Sequence, residues 1–198
     1  MSGYFEYDRH LKESTELNNN HHLILMAIYT TIFNYTNESR ERITPPYRST
    51  TERAQVPIKE LIEEYSSLSH NTFIKYLDDL LDKGLISVHE NKQNMKYYKL
   101  EYEFTNNDFN QIPHALIQNK YIKKQVKILY LNLRHLVRDS SSIVNISLNN
   151  LKNKSNLGSD TVKECLKKLK SLKFIDYDDN NLTRGKYSTL TIKLYLKG

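Results

Sequence analysis

The stretch "SDTVKECLKKLKS", residues 159–171, sets Lys163, Lys167, Lys168 and Lys170 among apolar residues at helical spacing. A helix turns by about 100° per residue, so Val162, Cys165, Leu166 and Leu169 share one face and the lysines occupy the remainder. A face of this kind attracts a polyanion. Each phosphate that a lysine neutralises releases condensed counterion, which makes binding strong and salt-sensitive. Ser159 and Thr161 add hydroxyls that can hydrogen-bond base edges or phosphates. Asp160 and Glu164 have the opposite sign. They accept from a cytosine amino group, cap the helix, or hold it away from close docking. Further cations flank the stretch: Lys152 and Lys154 before it, Arg184 and Lys186 after it, and Lys120, Lys123, Lys124 and Lys127 upstream. For any single lysine a solvated surface is the simpler reading; the clustering of the set favours a polyanion.

The charge distribution points the same way. Residues 1–113 carry 12 Lys/Arg against 17 Asp/Glu, a net of −5, and residues 114–198 carry 17 against 6, a net of +11. Together they give the formal charge of +6. A basic half joined to an acidic half implies that one meets a polyanion and the other something else.

Other chemistries find little support. There is no GxxxxGK phosphate loop, no CxxC and no HExxH, so the reading is of a non-enzyme with no cofactor and no metal site. His21 and His22 are adjacent, and neighbours on a helix diverge, so they read as a surface pair at a helix start. No HxH motif precedes a reactive tyrosine, which argues against a nicking enzyme. Tyr97, Tyr98 and Tyr102 read as strand and core residues, with stacking on single-stranded bases as the alternative. The one cysteine, Cys165, falls on the buried stripe, where packing outweighs redox sensing. A lone cysteine and the absence of an apolar leader or membrane-length run set the expectation of a cytoplasmic protein without membrane contact.

The basic helix has an acidic counterpart. "LSHNTFIKYLDDLLDKGLISV" (68–88) superposes on "LGSDTVKECLKKLKSLKFIDY" (157–177) at a constant offset of 89 residues, with the apolar positions coinciding. Upstream, "VPIKELIEEYS" (56–66) parallels "ISLNNLKNKSN" (146–156) as a short helix, with Pro57 and Ser147 suited to the starts. Further upstream, "HHLILMAIYTTIFNYT" (21–36) parallels "KKQVKILYLNLRHLVR" (123–138). Downstream, each copy has two alternating runs around a polar tip, "NKQNM" in the first and "NNLTRGK" in the second, the pattern of a hairpin.

Each copy therefore reads helix, short helix, turn, longer helix, hairpin. That order is a helix-turn-helix followed by a wing. The predicted fold is α+β, mainly α: two tandem winged helix-turn-helix domains, each with a C-terminal β-hairpin wing. The domains are 1–108, acidic with a basic insert loop at 37–55, and 109–198, basic. The boundary falls in the polar, Pro-containing "TNNDFNQIP" (105–113). In the first copy, Ser69, His70, Asn71, Thr72 and Lys75 offer groove chemistry, but Asp78, Asp79 and Asp82 would repel phosphates, so only the helix start could approach DNA. The insert carries Arg40, Arg42, Arg48 and Arg53 and reads as a minor-groove arm or, more simply, as a surface loop.

The second half resembles the N-terminal domain of RepA_N-type plasmid replication initiators. The resemblance lies in "FNQIPHALIQNKYIKKQVKILYLNL" (109–133) and "LNNLKNKSNLGSDTVKECLKKLKSLKFI" (148–175), and covers roughly residues 109–196. It implies a winged-helix dimer that binds repeated origin sequences. The expectation is a sequence-specific binder of double-stranded DNA from a plasmid or phage-type element, dimeric, acting in transcription regulation or at a replication origin. Two alternatives stay open. One is an adaptor or inhibitor that binds a host replication or transcription protein through the acidic half. The other is a single-strand binder. Winged helices also serve purely in protein contacts, because fold does not dictate function.

Overall fold

A computed structural model describes residues 3–37, 59–90, 96–101, 109–137, 142–179 and 189–196. The insert from 38 onwards, Pro57, both hairpin tips, Tyr102, residues 105–108 of the boundary, and Arg184 with Lys186 lie outside the described residues. The fold is α+β with small sheets, and the chain divides into two compact units. The N-terminal unit is Tyr7–Phe109 with Ile117–Lys120; the C-terminal unit is Met1–Glu6, Asn110–Leu116 and Tyr121–Gly198.

The chain opens on β1 (Tyr4–Asp8) and a short α1 (Arg9–Glu13), whose Asp8 cap accepts from the His10 backbone N–H at 2.6 Å. In the N-terminal unit follow α2 (Asn19–Asn37), α3 (Lys59–Ser66), α4 (His70–Asp82), β2 (Ile86–Glu90) and β3 (Lys96–Leu100). Helix α2 is buried on every face from His21 to Thr30, as a helix apolar all round must be, and α3 and α4 pack on it. Helix α4 contributes Phe73, Leu77 and Leu80 to the core. Strands β2 and β3 form an antiparallel hairpin, with Ile86 opposite Leu100 and Glu90 opposite Lys96; Tyr98 is buried in it.

Next come β4 (Phe109–Pro113) and α5 (His114–Gln118). The C-terminal unit continues with α6 (Lys124–Leu136), β5 (Ile143–Ser147), α7 (Leu148–Ser155), α8 (Ser159–Ser171), β6 (Ile175–Asp176) and β7 (Thr189–Leu194). Helix α6 is buried from Val126 to Arg134, and α7 and α8 pack against it. Helix α8 inserts Val162, Cys165, Leu166 and Leu169. Ser147 caps α7, accepting from the Asn150 backbone N–H at 3.2 Å, a bond worth about 1 kcal/mol. The sheet order is β5-β7-β6, with both pairings antiparallel.

Two assignments need correction. Residues 109–113, expected in a polar boundary, form β4, which pairs with β1. Ile112 supplies the reason: it is fully buried, as is Asn110 on the same face, so the run is held inside by its pairing with β1. Residues 143–147, expected as a connection running into a helix, form β5, because Val144 and Ile146 point inward and β7 supplies a full set of partners.

The repeat extends to the backbone. Helices α3 and α7 are each 8 residues long, and α4 and α8 each 13, all at the same offset of 89. Ser67 and Asn156 take the same left-handed conformation after the shorter helix, at φ 57° and 53°. Ser66 and Ser155, both buried, turn their hydroxyls back to helix carbonyls, Glu63 O and Leu151 O. Each longer helix ends alike. The N–H of Gly84 donates to Leu81 O and that of Leu85 to Leu80 O; the N–H of Lys173 donates to Lys170 O and that of Phe174 to Leu169 O. This pair of bonds needs a left-handed residue just past the helix. Gly84 supplies it at φ +65°, whereas Lys173 adopts φ +60° with a side chain. Exchanging the two tests the strain. Lys173→Gly should stabilise its unit by about 0.5–1 kcal/mol, and Gly84→Ala should destabilise its own by about 1 kcal/mol. The Cβ at 84 would meet open space, so φ alone sets that cost. Urea midpoints of the two variants measure both shifts.

Candidate nucleic-acid interface

The turn from α7 to α8 and the outward face of α8 collect most of the expected contacts. Ser159, Lys167 and Lys168 are exposed on α8, and Thr161 and Lys163 are half-buried at its base. Lys152 and Lys154 are exposed in the last turn of α7, where cations also complement the helix dipole. Lys123 is exposed at the start of α6 and Lys124 follows it, half-buried. Helix α6, which Lys123 precedes, packs against α8. Among the described residues none of these seven lysines makes an ion pair. Asp160 and Glu164 are exposed on the same helix.

Three cations leave the expected surface. Lys127 is completely buried inside α6, and burial alone pulls its ammonium down to about 8. Lys170 folds onto the segment after β6. It donates to the Tyr177 carbonyl at 2.6 Å and to Asp179 at 2.8 Å, and its ammonium lies 4.7 Å from the Tyr177 ring centre. Lys120 pairs with Glu64 at 3.2 Å and belongs to the N-terminal unit. Lys154 also borders a cleft of about 370 Å³ beside β5, together with Asn145, Asn150 and Thr189.

The corresponding face of α4 is engaged within its own unit. Ser69 and Thr72 hydrogen-bond each other at 2.8 Å. His70 meets Glu63 at 3.1 Å, and the Lys75 ammonium lies 5.5 Å from the Tyr76 ring centre. Asn71 is exposed, as are Asp78 and Asp82. Asp79 differs from its neighbours. It accepts from His21 Nε2 at 2.6 Å and from Lys83 at 2.9 Å, and these bonds, the lysine's first, hold its carboxyl below the usual carboxylate range.

His21 and His22 are therefore not a surface pair: both are buried. His21 Nδ1 accepts from the Asn18 backbone N–H at 3.0 Å, which leaves the proton on Nε2 to donate to Asp79. Burial lowers the His21 pKa despite the Asp79 contact. His22 Nδ1 shares a hydrogen bond of 2.7 Å with the Tyr7 hydroxyl. Both histidines join elements: His21 ties the start of α2 to the middle of α4, and His22 ties it to β1. Cys165 is buried, and burial pushes its thiol up to about 11, so it is a packing residue.

No protein-family model matches the chain, and no curated protein matches it. Among the described residues there is no cluster of three or more His, Cys, Asp or Glu able to hold a metal, and no helix is long and apolar enough to cross a membrane.

One exposed residue escaped the reading of the sequence. Tyr121 is 83% exposed, about twice as much as the next large apolar side chain among the described residues, Val88 at 43%. Its signal was present. Ile122 and Val126 continue the buried stripe of α6, which leaves Tyr121 off the stripe beside Lys123 and Lys124.

Proposed function

We propose that the chain is a sequence-specific binder of double-stranded DNA, built from two winged helix-turn-helix modules, with α8 of the C-terminal unit supplying most of the affinity. The observation that carries this reading is a contrast between matched helices. Helices α4 and α8 have the same length and share three buried positions at the offset of 89, with Cys165 a fourth in α8, yet α8 exposes Lys167 and Lys168 and half-exposes Lys163, none in an ion pair among the described residues, while α4 exposes Asp78 and Asp82. Unpaired cations on the second long helix of a helix-turn-helix are placed to meet phosphates beside a major groove. The order helix, short helix, longer helix, hairpin in each unit supports the winged-helix assignment. The resemblance of residues 109–196 to RepA_N-type initiators supports a homodimer that acts at repeated sites of a plasmid or phage-type element, as a transcription regulator or origin binder.

Selection of genomic fragments by the purified full chain tests this. The expected result is enrichment of a short repeated duplex sequence, displaced by unlabelled duplex more effectively than by the matching single strand. Recovery of random fragments only, or preference for the single strand, would overturn it. The second reading, an adaptor that binds a host protein, is favoured by one observation: the α4 face is acidic and internally bonded. A partner that copurifies after nuclease treatment, with no duplex shift, would favour it.

A further inference from the structure

We propose that Tyr121, with Lys123 and Lys124, forms a second duplex-contact point beside α8, the tyrosine hydroxyl donating to a backbone phosphate while its ring packs against the adjoining sugar. This inference rests on the DNA-binding reading above. Tyr121 sits in the turn just before α6. The turn is anchored by Ile122, which is buried, so the preceding side chain is held outward. At 83% exposure the Tyr121 ring is accessible to a partner, and tyrosine suits such contacts because it joins an apolar ring to a hydroxyl. Here the neighbours in the chain are Lys123 and Lys124, which make no ion pair among the described residues.

The position relative to α8 adds weight. Helix α6 packs directly against α8, so the turn that opens α6 belongs to the same helical layer as that helix. A duplex lying on α8 would then bring a neighbouring phosphate to this turn. Tyrosine hydroxyls and lysines are common phosphate donors, and such contacts fix register without reading sequence. The C-terminal half, at +11, makes the partner anionic rather than apolar. The predicted contact therefore positions the duplex, and α8 reads it.

The tyrosine and the lysines are separable by salt. A neutral hydroxyl displaces no counterion of its own, whereas each lysine does. Tyr121→Ala should weaken duplex binding about tenfold with the salt slope unchanged, and Tyr121→Phe should recover only part of the loss. Lys123→Ala with Lys124→Ala should lower the slope by about 2. Circular dichroism of each variant establishes that it is folded. The chain contains no tryptophan, so Tyr121→Trp places a single indole reporter at the site. Its emission should change on duplex addition with the midpoint seen in gel shifts. Unchanged affinity for Tyr121→Ala, in a background where Lys163→Ala with Lys167→Ala weakens binding, would overturn this inference and leave the DNA reading standing. No duplex binding by the unsubstituted chain would overturn both. An indole signal produced by self-association without DNA would also overturn it, in favour of a protein contact.

Discussion

Lys163→Ala combined with Lys167→Ala is expected to weaken duplex binding by roughly 30-fold at low salt, from about 1 kcal/mol for each lost contact at a solvated surface. The two residues are one helical turn apart on α8 and make no ion pair among the described residues. Removing them therefore breaks no ion pair of the fold. The stronger signature is salt. Each phosphate contact contributes about 0.9 to the slope of log affinity against log salt, so the double variant should lose nearly 2 from it. Between 50 and 200 mM salt the unsubstituted chain should then lose about tenfold more affinity than the variant does. The matched control is Asp78→Ala with Asp82→Ala on α4, which should not weaken binding. Asp79, though one residue away, is unsuitable, because it holds His21 and Lys83. Gel shifts at several salt concentrations measure both quantities. An unchanged slope in the lysine variant would place the DNA contact elsewhere.

The core of each unit was legible because it repeats. Leu77 and Leu166, Leu80 and Leu169, and Ile86 and Ile175 coincide at one offset, and all six are buried. Burial demands the same apolar spacing twice, and no long-range information is needed to see it. Strand β5 was not legible for the opposite reason. Five residues, Ile143–Ser147, alternate too briefly to stand out, and what makes them a strand is β7, some 45 residues later. Strand β4 is similar: its partner β1 lies at the other end of the N-terminal half.

The candidate surface shows the same division. Lys167 and Lys168 are exposed and Lys163 is half-buried, as follows from a helical stripe that also defines its complement. Which cations are available was not legible. Lys170 has the reach to fold back on Asp179 and Tyr177, and the choice between that and solvent is made by residues beyond the helix. Adjacent polar residues at the start of α2 read as surface. His21 and His22 are instead buried because each ring finds a partner, Asp79 or Tyr7, that sequence spacing does not reveal. A buried polar group is tolerable only when bonded, and both histidines meet that condition.

Lys127 is the case where spacing misled most, and it carries the other large effect. It follows Lys123 and Lys124 by helical steps and so resembles part of a basic face. It lies instead between Val126 and Ile128, within the buried run of α6. Its folded pKa is about 8, against about 10.4 for an unfolded lysine. The unfolded chain therefore binds more protons between those values, and stability must rise with pH across that window. Below pH 8 the fold carries a charged buried ammonium at a cost of about 3 kcal/mol; above pH 10.5 both states are neutral and the cost is gone. Lys127→Met keeps the length of the chain and removes the proton. At pH 7 the variant should gain up to about 3 kcal/mol relative to the unsubstituted chain, less whatever its altered packing costs. Packing does not titrate, so the pH dependence isolates the charge. The difference in unfolding free energy between the two proteins should shift by about 3 kcal/mol between pH 7 and 10.5, in favour of the unsubstituted chain as pH rises. Urea titrations at four or five pH values measure it. A difference that stays flat with pH would mean that water or another group already solvates the ammonium within α6.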